Sequence, residues 1–280
     1  MKEVSMLPVL KWAGGKRQLL KEIRHYMPKA YNTYFEPFVG AGAVLFDIAP
    51  KHAYINDINT DLITVYRTLK DQDQFEKLVR LLKIHETNHN DDYYYEIRQM
   101  DREDSYKKLA LYEKAARVIY LNKAGFNGLY RVNKKGYFNV PSGKKEKVKL
   151  IDLDNFNKIH NYLLNQDIQI TNIDFVDAIK SAKKGDFVYF DPPYDPWDKK
   201  ESFTAYAKDD FTREDQIRLF ETFKNLADKG VYVMLSNHNT DFINSLYKDF
   251  NIYIVHANRM INSNPNGRGK VEEVIITNYE

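Results

Sequence analysis

The chain has 280 residues, 43% of them hydrophobic and 14% aromatic, which is enough apolar material for one large domain or a domain carrying an insertion, and too much for a disordered chain. It has no cysteine, which excludes a disulfide scaffold, a thiolate metal site and a cysteine nucleophile. The net charge of +3 is spread unevenly: Lys123 to Lys149 holds eight Lys or Arg and one acid, Glu146, so that window is +7 and the rest of the chain −4, as expected of a local contact with a polyanion.

Met1 to Leu10 lacks the apolar segment of a signal peptide, and no apolar run approaches the ~18 residues of a transmembrane helix. The expectation is a soluble, cytoplasmic protein with no membrane contact. Lys11-Trp12-Ala13-Gly14-Gly15-Lys16 comes next, followed by Leu19, Leu20, Ile23 and Met27 at helical spacing. A Gly-Gly pair opening a helix lets backbone N–H groups approach an anion, with Lys16 adding charge. A plain helix-start turn fits as well, and the Walker spacing is absent.

Tyr34 to Gly42 then reads as a strand and a Gly-rich turn, with Val44, Leu45, Phe46 and Ile48 marking the following helix. Gly40 and Gly42 remove side chains where a cofactor would press on the backbone. The dinucleotide fingerprint needs a third glycine where Leu45 stands, which disfavours a pyrophosphate site and a nicotinamide oxidoreductase. Ala53 to Asp57 is a second short strand ending in an acid, 17 residues after Gly40. An acid near that interval suits ribose hydroxyls, and an N-cap on the next helix is the alternative.

From Asp57 to about Lys123 three apolar stripes predict helices, which interrupt the strand–helix alternation. We therefore expect an inserted subdomain over residues 71–150, with 1–70 and 151–280 forming the main domain. The insertion ends in a stretch rich in Lys, Asn, Gly and aromatics from Asn122 to Pro141, where a hairpin is predicted. Basic residues interleaved with aromatics and amides suit nucleic acid; a solvated basic loop is the alternative.

Alternation resumes with a helix over 155–164 and a strand from Asp167 to Ile173, ending in Asp174-Phe175. Phe187 to Phe190 is a short buried strand running into Asp191-Pro192-Pro193-Tyr194. Two prolines take the chain out of the sheet as a stiff loop, at the strand end that lines the ligand crevice of an open α/β sheet. Asp191 offers a carboxylate, Pro192 and Pro193 offer carbonyls, and Tyr194 offers a flat face, a set that fits a planar ring bearing an amino group. A polar segment, 195–210, a helix starting at Thr212, a buried strand over 231–235 ending in Ser236-Asn237, and two alternating strands around a polar loop, 262–269, close the chain. The seven histidines form no metal-ligand pattern, so no metal is expected.

Together these features describe a nucleoside-bearing cofactor without a diphosphate, beside a pocket for a planar amine; S-adenosylmethionine fits. Lys11 to Lys16, Phe35 to Gly42, Asn56 to Asn59, Phe126 to Arg131, Phe138 to Pro141 and Asp191 to Tyr194 also occur in the order seen in the Dam family. The chain thus resembles site-specific DNA adenine-N6 methyltransferases of the α arrangement over about Lys11 to Tyr279. The resemblance implies an α/β fold: a Rossmann-like methyltransferase sheet, mostly parallel with an antiparallel last strand, carrying an inserted helical and hairpin DNA-recognition subdomain. It implies S-adenosylmethionine as cofactor, held by Trp12, Ala13, Gly14, Gly15, Lys16, Glu36, Pro37, Phe38, Gly40, Gly42, Asp57, Ile58, Asp174, Phe175 and Asp191. It implies double-stranded DNA as partner, contacted at GATC by Lys11, Asn127, Leu129, Arg131, Asn133, Pro141 and Lys144, and catalysis by Asp191, Pro192, Pro193 and Tyr194 on a flipped adenine. A monomer is expected, with a dimer on DNA as the alternative. The sequence departs from the family pattern at Lys144 to Lys147, which replace an Arg-Tyr start, and at Ile173, where glycine is common. Cytosine-N4 methylation, RNA adenine methylation and an inactive DNA-binding relative are the competing functions.

Overall fold

The computed structural model describes residues 6–12, 14–197, 211–258 and 270–280. Ala13, residues 198–210 of the polar segment 195–210, and the loop 262–269 lie outside the described residues. The strands are β1 (Tyr34–Glu36), β2 (His52–Asn56), β3 (Asp167–Thr171), β4 (Phe187–Phe190), β5 (Tyr232–His238), β6 (Asn251–Asn258) and β7 (Lys270–Thr277). They form one sheet in the order β3-β2-β1-β4-β5-β7-β6, parallel except for β7, which is antiparallel to both its neighbours. The mostly parallel sheet with an antiparallel last strand is the one expected.

Helices α1 (Leu20–Tyr26), α2 (Ala43–Ile48), α3 (Thr60–Lys70), α4 (Gln72–Asn88), α5 (Asp91–Gln99), α6 (Leu111–Ala124), α7 (Leu153–Asn165), α8 (Phe175–Ala178), α9 (Arg213–Asp228) and α10 (Asp241–Leu246) surround it. Short polar residues start several of them: Asn59, Asp71, Asn90 and Asp152 each accept a backbone N–H from the first turn of α3, α4, α5 and α7. Thr212 and Asp215 form a reciprocal capping box on α9.

All four residues of β4 are buried, because both faces of the sheet are covered. Alternate side chains divide between two cores. Phe187 and Tyr189 join the apolar cluster built with α3, α4, α6 and α7, while Val188 and Phe190 join the one built with α9 and α10. The chain leaves β1 for β2 on one side and reaches β4 on the other, so β1 and β4 flank the point where strand order reverses. That reversal opens a crevice at their carboxyl ends.

The predicted insertion is helical, with α4, α5, two 3-10 turns (Met100–Arg102 and Asp104–Lys108) and α6. Its core is continuous with that of the sheet: Phe75, Leu78, Tyr94, Ala116, Ile119 and Tyr120 belong to the same cluster as Tyr34, Ile55 and Ile168. The hairpin forms as predicted, with Val132 bridged to Phe138 and the turn closed by Asn133 N–H to Tyr137 O at 2.8 Å and Gly136 N–H to Asn133 O at 2.8 Å.

A buried arginine ties the hairpin to the helices. Arg117 on α6 is 2% exposed, pairs with Asp101 at 2.8 Å, and donates to the Ile97 and Arg98 carbonyls at 2.9 and 2.8 Å. Asp101 in turn accepts the Phe138 N–H at 2.8 Å. Removing a buried ion-pair partner costs about 3–5 kcal/mol when the other charge is left alone. Arg102 also pairs with Asp101 at 2.5 Å, so the loss here falls at the low end and includes the Ile97 and Arg98 carbonyls left without their donor. Arg117→Met is therefore expected to lower the unfolding free energy by about 3 kcal/mol, measured by urea denaturation; a loss below about 1 kcal/mol would mean the pair contributes no more than a surface ion pair.

Candidate active site

At the carboxyl end of β4 the Asp191 carboxylate pairs with the Lys16 ammonium at 2.8 Å, with both side chains largely buried at 17% and 7% exposure. The same ammonium donates to the Gly14 carbonyl at 2.7 Å and lies 4.5 Å from the centre of the Tyr194 ring. One cation thus draws the Gly-Gly turn, the carboxylate and the aromatic ring together. Burial raises Asp191 from the ordinary 3.8 to about 6, with Lys16 pulling it down and Glu273 adding to the rise. Tyr194 donates its hydroxyl to Glu273 Oε2 on β7 at 2.8 Å and meets His238 edge-on at 4.8 Å.

The Asp-Pro-Pro-Tyr loop is fixed from beneath by a polar chain. Gln216 on α9 donates to the Pro193 carbonyl at 2.8 Å, Asn237 donates to Gln216 Oε1 at 3.1 Å, and Asn237 Oδ1 accepts the Asp195 N–H at 2.9 Å. The fully buried Asp195 carboxylate takes Arg213 through Nε and Nη2 at 2.9 and 3.2 Å, and Thr240 at 2.8 Å. The Pro193 carbonyl is thus engaged by the protein itself, whereas the sequence offered it as a ligand acceptor. Gln216, Asp195 and Glu273 carried no signal in the sequence; the polar Ser236-Asn237 pair ending a buried strand did.

The opposite wall comes from β1 and β2. Glu36 is buried, accepts the Tyr34 hydroxyl at 2.9 Å, and its carboxyl is held well above the usual range by burial, with Asp191 and Asp57 adding to the effect. Asp57 accepts the Gly40 N–H at 3.1 Å and the Asn59 N–H at 2.9 Å, and burial raises it to about 6 against those two bonds. It is not the N-cap of α3, since Asn59 fills that role. Gly40 and Gly42 both have positive φ. A Cβ on Gly42 would come within 2.5 Å of the Tyr66 hydroxyl and 2.9 Å of the Phe46 ring, so this glycine answers to packing within the protein. At Gly40 the neighbour is Trp12, 3.4 Å away.

Ile58 beside Asp57 is 62% exposed, an apolar side chain facing outward at the strand end. Phe38 packs against Phe175 with the rings tilted and their centres 5.3 Å apart, while Pro37 is buried and its carbonyl accepts from Asn56. Asp174 caps α8 and takes the Arg218 guanidinium at 2.9 Å on each oxygen. The structure therefore brings Gly14, Lys16, Tyr194 and Asp191 into one cluster, with Glu36 and Asp57 close enough to feel each other's charge. Trp12 joins them through Gly40, and Gly15 through the Trp12 carbonyl, 3.3 Å from where a Cβ would stand. Such a pocket, rich in carboxylates, suits a cationic or amino-bearing ligand.

The basic surface lies on the hairpin side. Arg131 is exposed, and Asn139 aims it by accepting Nε at 2.7 Å. Asn127 is exposed in the left-handed region at φ 54°, and the neighbouring Phe126 is 51% exposed. Leu129 is half-buried; Lys11 and Pro141 are exposed. Lys144, also at positive φ, pairs with Asp91. Asn133 departs from its expected role: its side-chain oxygen accepts the Lys135 and Tyr137 N–H groups at 2.9 and 3.1 Å and builds the turn. Among the described residues no group of His, Asp and Glu could hold a metal ion, and no helix is long and apolar enough to cross a membrane.

Residues 12–261 match the family model of D12 class N6 adenine-specific DNA methyltransferases. The chain is similar to the type II methyltransferase M1.LlaDCHI of Lactococcus lactis subsp. cremoris, with 46% identity over 99% of this chain and 97% of the relative. It is 42% identical to the type II methyltransferase M.MjaIII of Methanocaldococcus jannaschii over 97% and 99% of the two chains, and 35% identical to the DNA adenine methylase of Escherichia coli K12 over 95% and 93%.

A carboxyl raised on folding binds protons more tightly in the folded state, so stability falls as pH rises between the unfolded and folded values. For Asp191 that window runs from 3.8 to about 6. The unfolding free energy of Asp191→Asn minus that of the wild type should therefore climb from about pH 4 to about pH 6 and level off above. Thermal melts across that range check it, and a flat difference would mean Asp191 ionises as freely as in water.

Proposed function

The chain belongs to the D12 class of N6 adenine-specific DNA methyltransferases, and from that premise we propose that it moves a methyl group from S-adenosylmethionine to N6 of an adenine flipped out of duplex DNA, at GATC. The class makes it a site-specific enzyme acting on adenine in DNA. The observation that carries the finer reading is the cluster of Asp191, Lys16 and Tyr194 at the strand-order reversal.

Adenine inside a duplex is out of reach of any side-chain site, so it must leave the stack, at a cost of roughly a few kcal/mol. Its amino nitrogen is a poor nucleophile because the lone pair is delocalised into the ring. Asp191 and the Pro192 carbonyl accept the two amino hydrogens, which favours a pyramidal nitrogen with its lone pair free. Tyr194, its hydroxyl tied to Glu273, presents the ring on which the base stacks. Pro193, held through its carbonyl by Gln216, keeps the loop in shape. When bound, S-adenosylmethionine supplies a methyl group already activated on a sulfonium centre. The protein aligns the nitrogen and stabilises the shifting charge. The proton leaves the product nitrogen by way of Asp191, whose value of about 6 is close enough to neutrality for it to accept and release a proton.

The fit of the donor rests on chemistry present in the pocket. The carboxylates of Glu36, Asp57 and Asp191 favour a cationic ligand, Asp57 directly follows β2 where a ribose is met, and exposed Ile58 with Phe38 offers apolar surface to a base. The turn over Gly40 and Gly42 lacks the third glycine of a diphosphate site, in keeping with a nucleoside donor. Trp12, Gly14, Gly15, Lys16, Gly42, Asp174 and Phe175 complete the donor set.

We assign residues 71–150 to target recognition, and 1–70 with 151–280 to catalysis. Lys11 and Arg131 read guanine, Asn127 and Leu129 enter where the duplex opens, and Lys144 meets the backbone. Asn133 and Pro141 shape the hairpin that presents them. The +7 window supports duplex DNA as the partner.

Sequencing of plasmid DNA methylated by the protein, scored for N6-methyladenine, tests the whole reading. Methylation confined to GATC is expected; methyladenine elsewhere would break the assignments of Lys11 and Arg131 while keeping the reaction. Asp191→Ala should abolish turnover while sparing duplex binding, and substantial residual activity would sink the mechanism. Arg131→Ala should relax discrimination at one guanine by about 1–3 kcal/mol if the contact is bidentate. Uniform weakening on all sequences, with a shallower salt dependence, would make it a phosphate contact instead.

A further inference from the structure

Asn122 is fully buried on α6, three residues along from Ile119 on the apolar face, where an aliphatic side chain would be ordinary. All of its side-chain hydrogen bonds go to the backbone, of Lys11 far back in the chain and of Gly128 just past the end of α6. Its Oδ1 accepts the Lys11 N–H at 2.9 Å, and its Nδ2 donates to the Lys11 carbonyl at 2.9 Å and to the Gly128 carbonyl at 3.0 Å. Gripping both the N–H and the C=O of one residue fixes that residue's rotation as well as its position.

A second link runs beside it. Trp12 packs on Tyr130 with ring centres 4.9 Å apart, and Tyr130 donates to Asp61 on α3 at 2.8 Å. The close approach is built in at Gly128, where φ is +69° and a Cβ would meet the Lys11 side chain at 2.5 Å. Five residues beyond Lys11, Lys16 reaches Asp191. One short run of chain therefore has the exposed 126–131 loop clasped to one end and the catalytic carboxylate paired to the other.

We infer that Asn122 is a positioning residue that couples engagement of DNA by loop 126–131, through Lys11, to the donor site at Trp12 and Gly14 to Lys16. The inference rests on the donor and DNA assignments made above. A duplex that shifts or stiffens loop 126–131 shifts or stiffens Lys11 through the Asn122 amide, with the Trp12–Tyr130 contact beside it, and the effect is reciprocal because binding free energies are linked.

The test uses the full-length protein and S-adenosylhomocysteine, which cannot react, titrated by calorimetry with and without a short duplex carrying one target site. In the wild type the duplex is expected to change the affinity about fivefold or more. That factor should fall by half or more in Asn122→Ala, which leaves the Trp12–Tyr130 contact in place, with the fold checked by circular dichroism. Asn122→Asp, nearly isosteric, keeps the acceptor for Lys11 N–H and loses both donors; it serves if the alanine variant does not fold, and should also weaken the coupling. Folded Asn122 variants that keep the wild-type factor overturn the proposal. So does a wild type that methylates its site yet shows no coupling, which leaves the function intact. A wild type that binds no S-adenosylhomocysteine overturns the coupling together with the donor assignment.

Discussion

Charge burial at the carboxyl ends of β1, β2 and β4 is the constraint from which the rest of the site follows. Burial raises the proton affinity of Glu36, Asp57 and Asp191, with Asp191 and Asp57 adding to the effect on Glu36 and Glu273 to that on Asp191, and Lys16 is the cation paired with Asp191. Taking carboxylates out of water is expensive unless hydrogen bonds or an opposite charge compensate. Each acid here has such a partner: a tyrosine hydroxyl for Glu36, two backbone N–H groups for Asp57, an ammonium for Asp191 and the Tyr194 hydroxyl for Glu273. What remains is a negative pocket with two groups near 6, in which a positive ligand replaces part of what the ammonium supplies.

The Asp-Pro-Pro-Tyr loop obeys a second requirement, rigidity. Proline fixes two of its φ angles, and the chain Gln216–Asn237–Asp195 with Arg213 and Thr240 holds its carbonyl and following N–H. A reaction that depends on aiming a lone pair at a methyl group gains from a loop that does not rearrange when the base arrives.

Much of this was legible in the sequence, because the informative pieces are local. A buried strand running into Asp-Pro-Pro-Tyr, a Gly-x-Gly turn after a strand, an acid ending β2 and a basic aromatic hairpin each declare themselves within ten residues. What was illegible depends on contacts between distant residues. Gly42 reads as a cofactor glycine, yet Tyr66 and Phe46 would require a glycine there on packing alone. Pro193 reads as a free acceptor until α9 brings Gln216 beneath it, and Asn133 reads as a nucleic-acid contact until its oxygen is found inside its own turn. Asn122 and Lys11 are separated by 111 residues, a distance over which no spacing rule works. A polar residue interrupting an apolar helical stripe was the available hint.

The core shared by α3, α4 and α6 bears on how such an enzyme can change. A recognition segment with its own core could be exchanged whole, as a cartridge, leaving the catalyst untouched. Here the helices that carry the hairpin also complete one face of the sheet, so replacing them wholesale would open the layer that supports β1 and β4. Only the side chains at the hairpin's outer edge are free to vary without that penalty; if that hairpin reads the target as proposed, easy change of target is confined to a handful of exposed positions, and the rest of the segment is tied to the sheet that carries the candidate site.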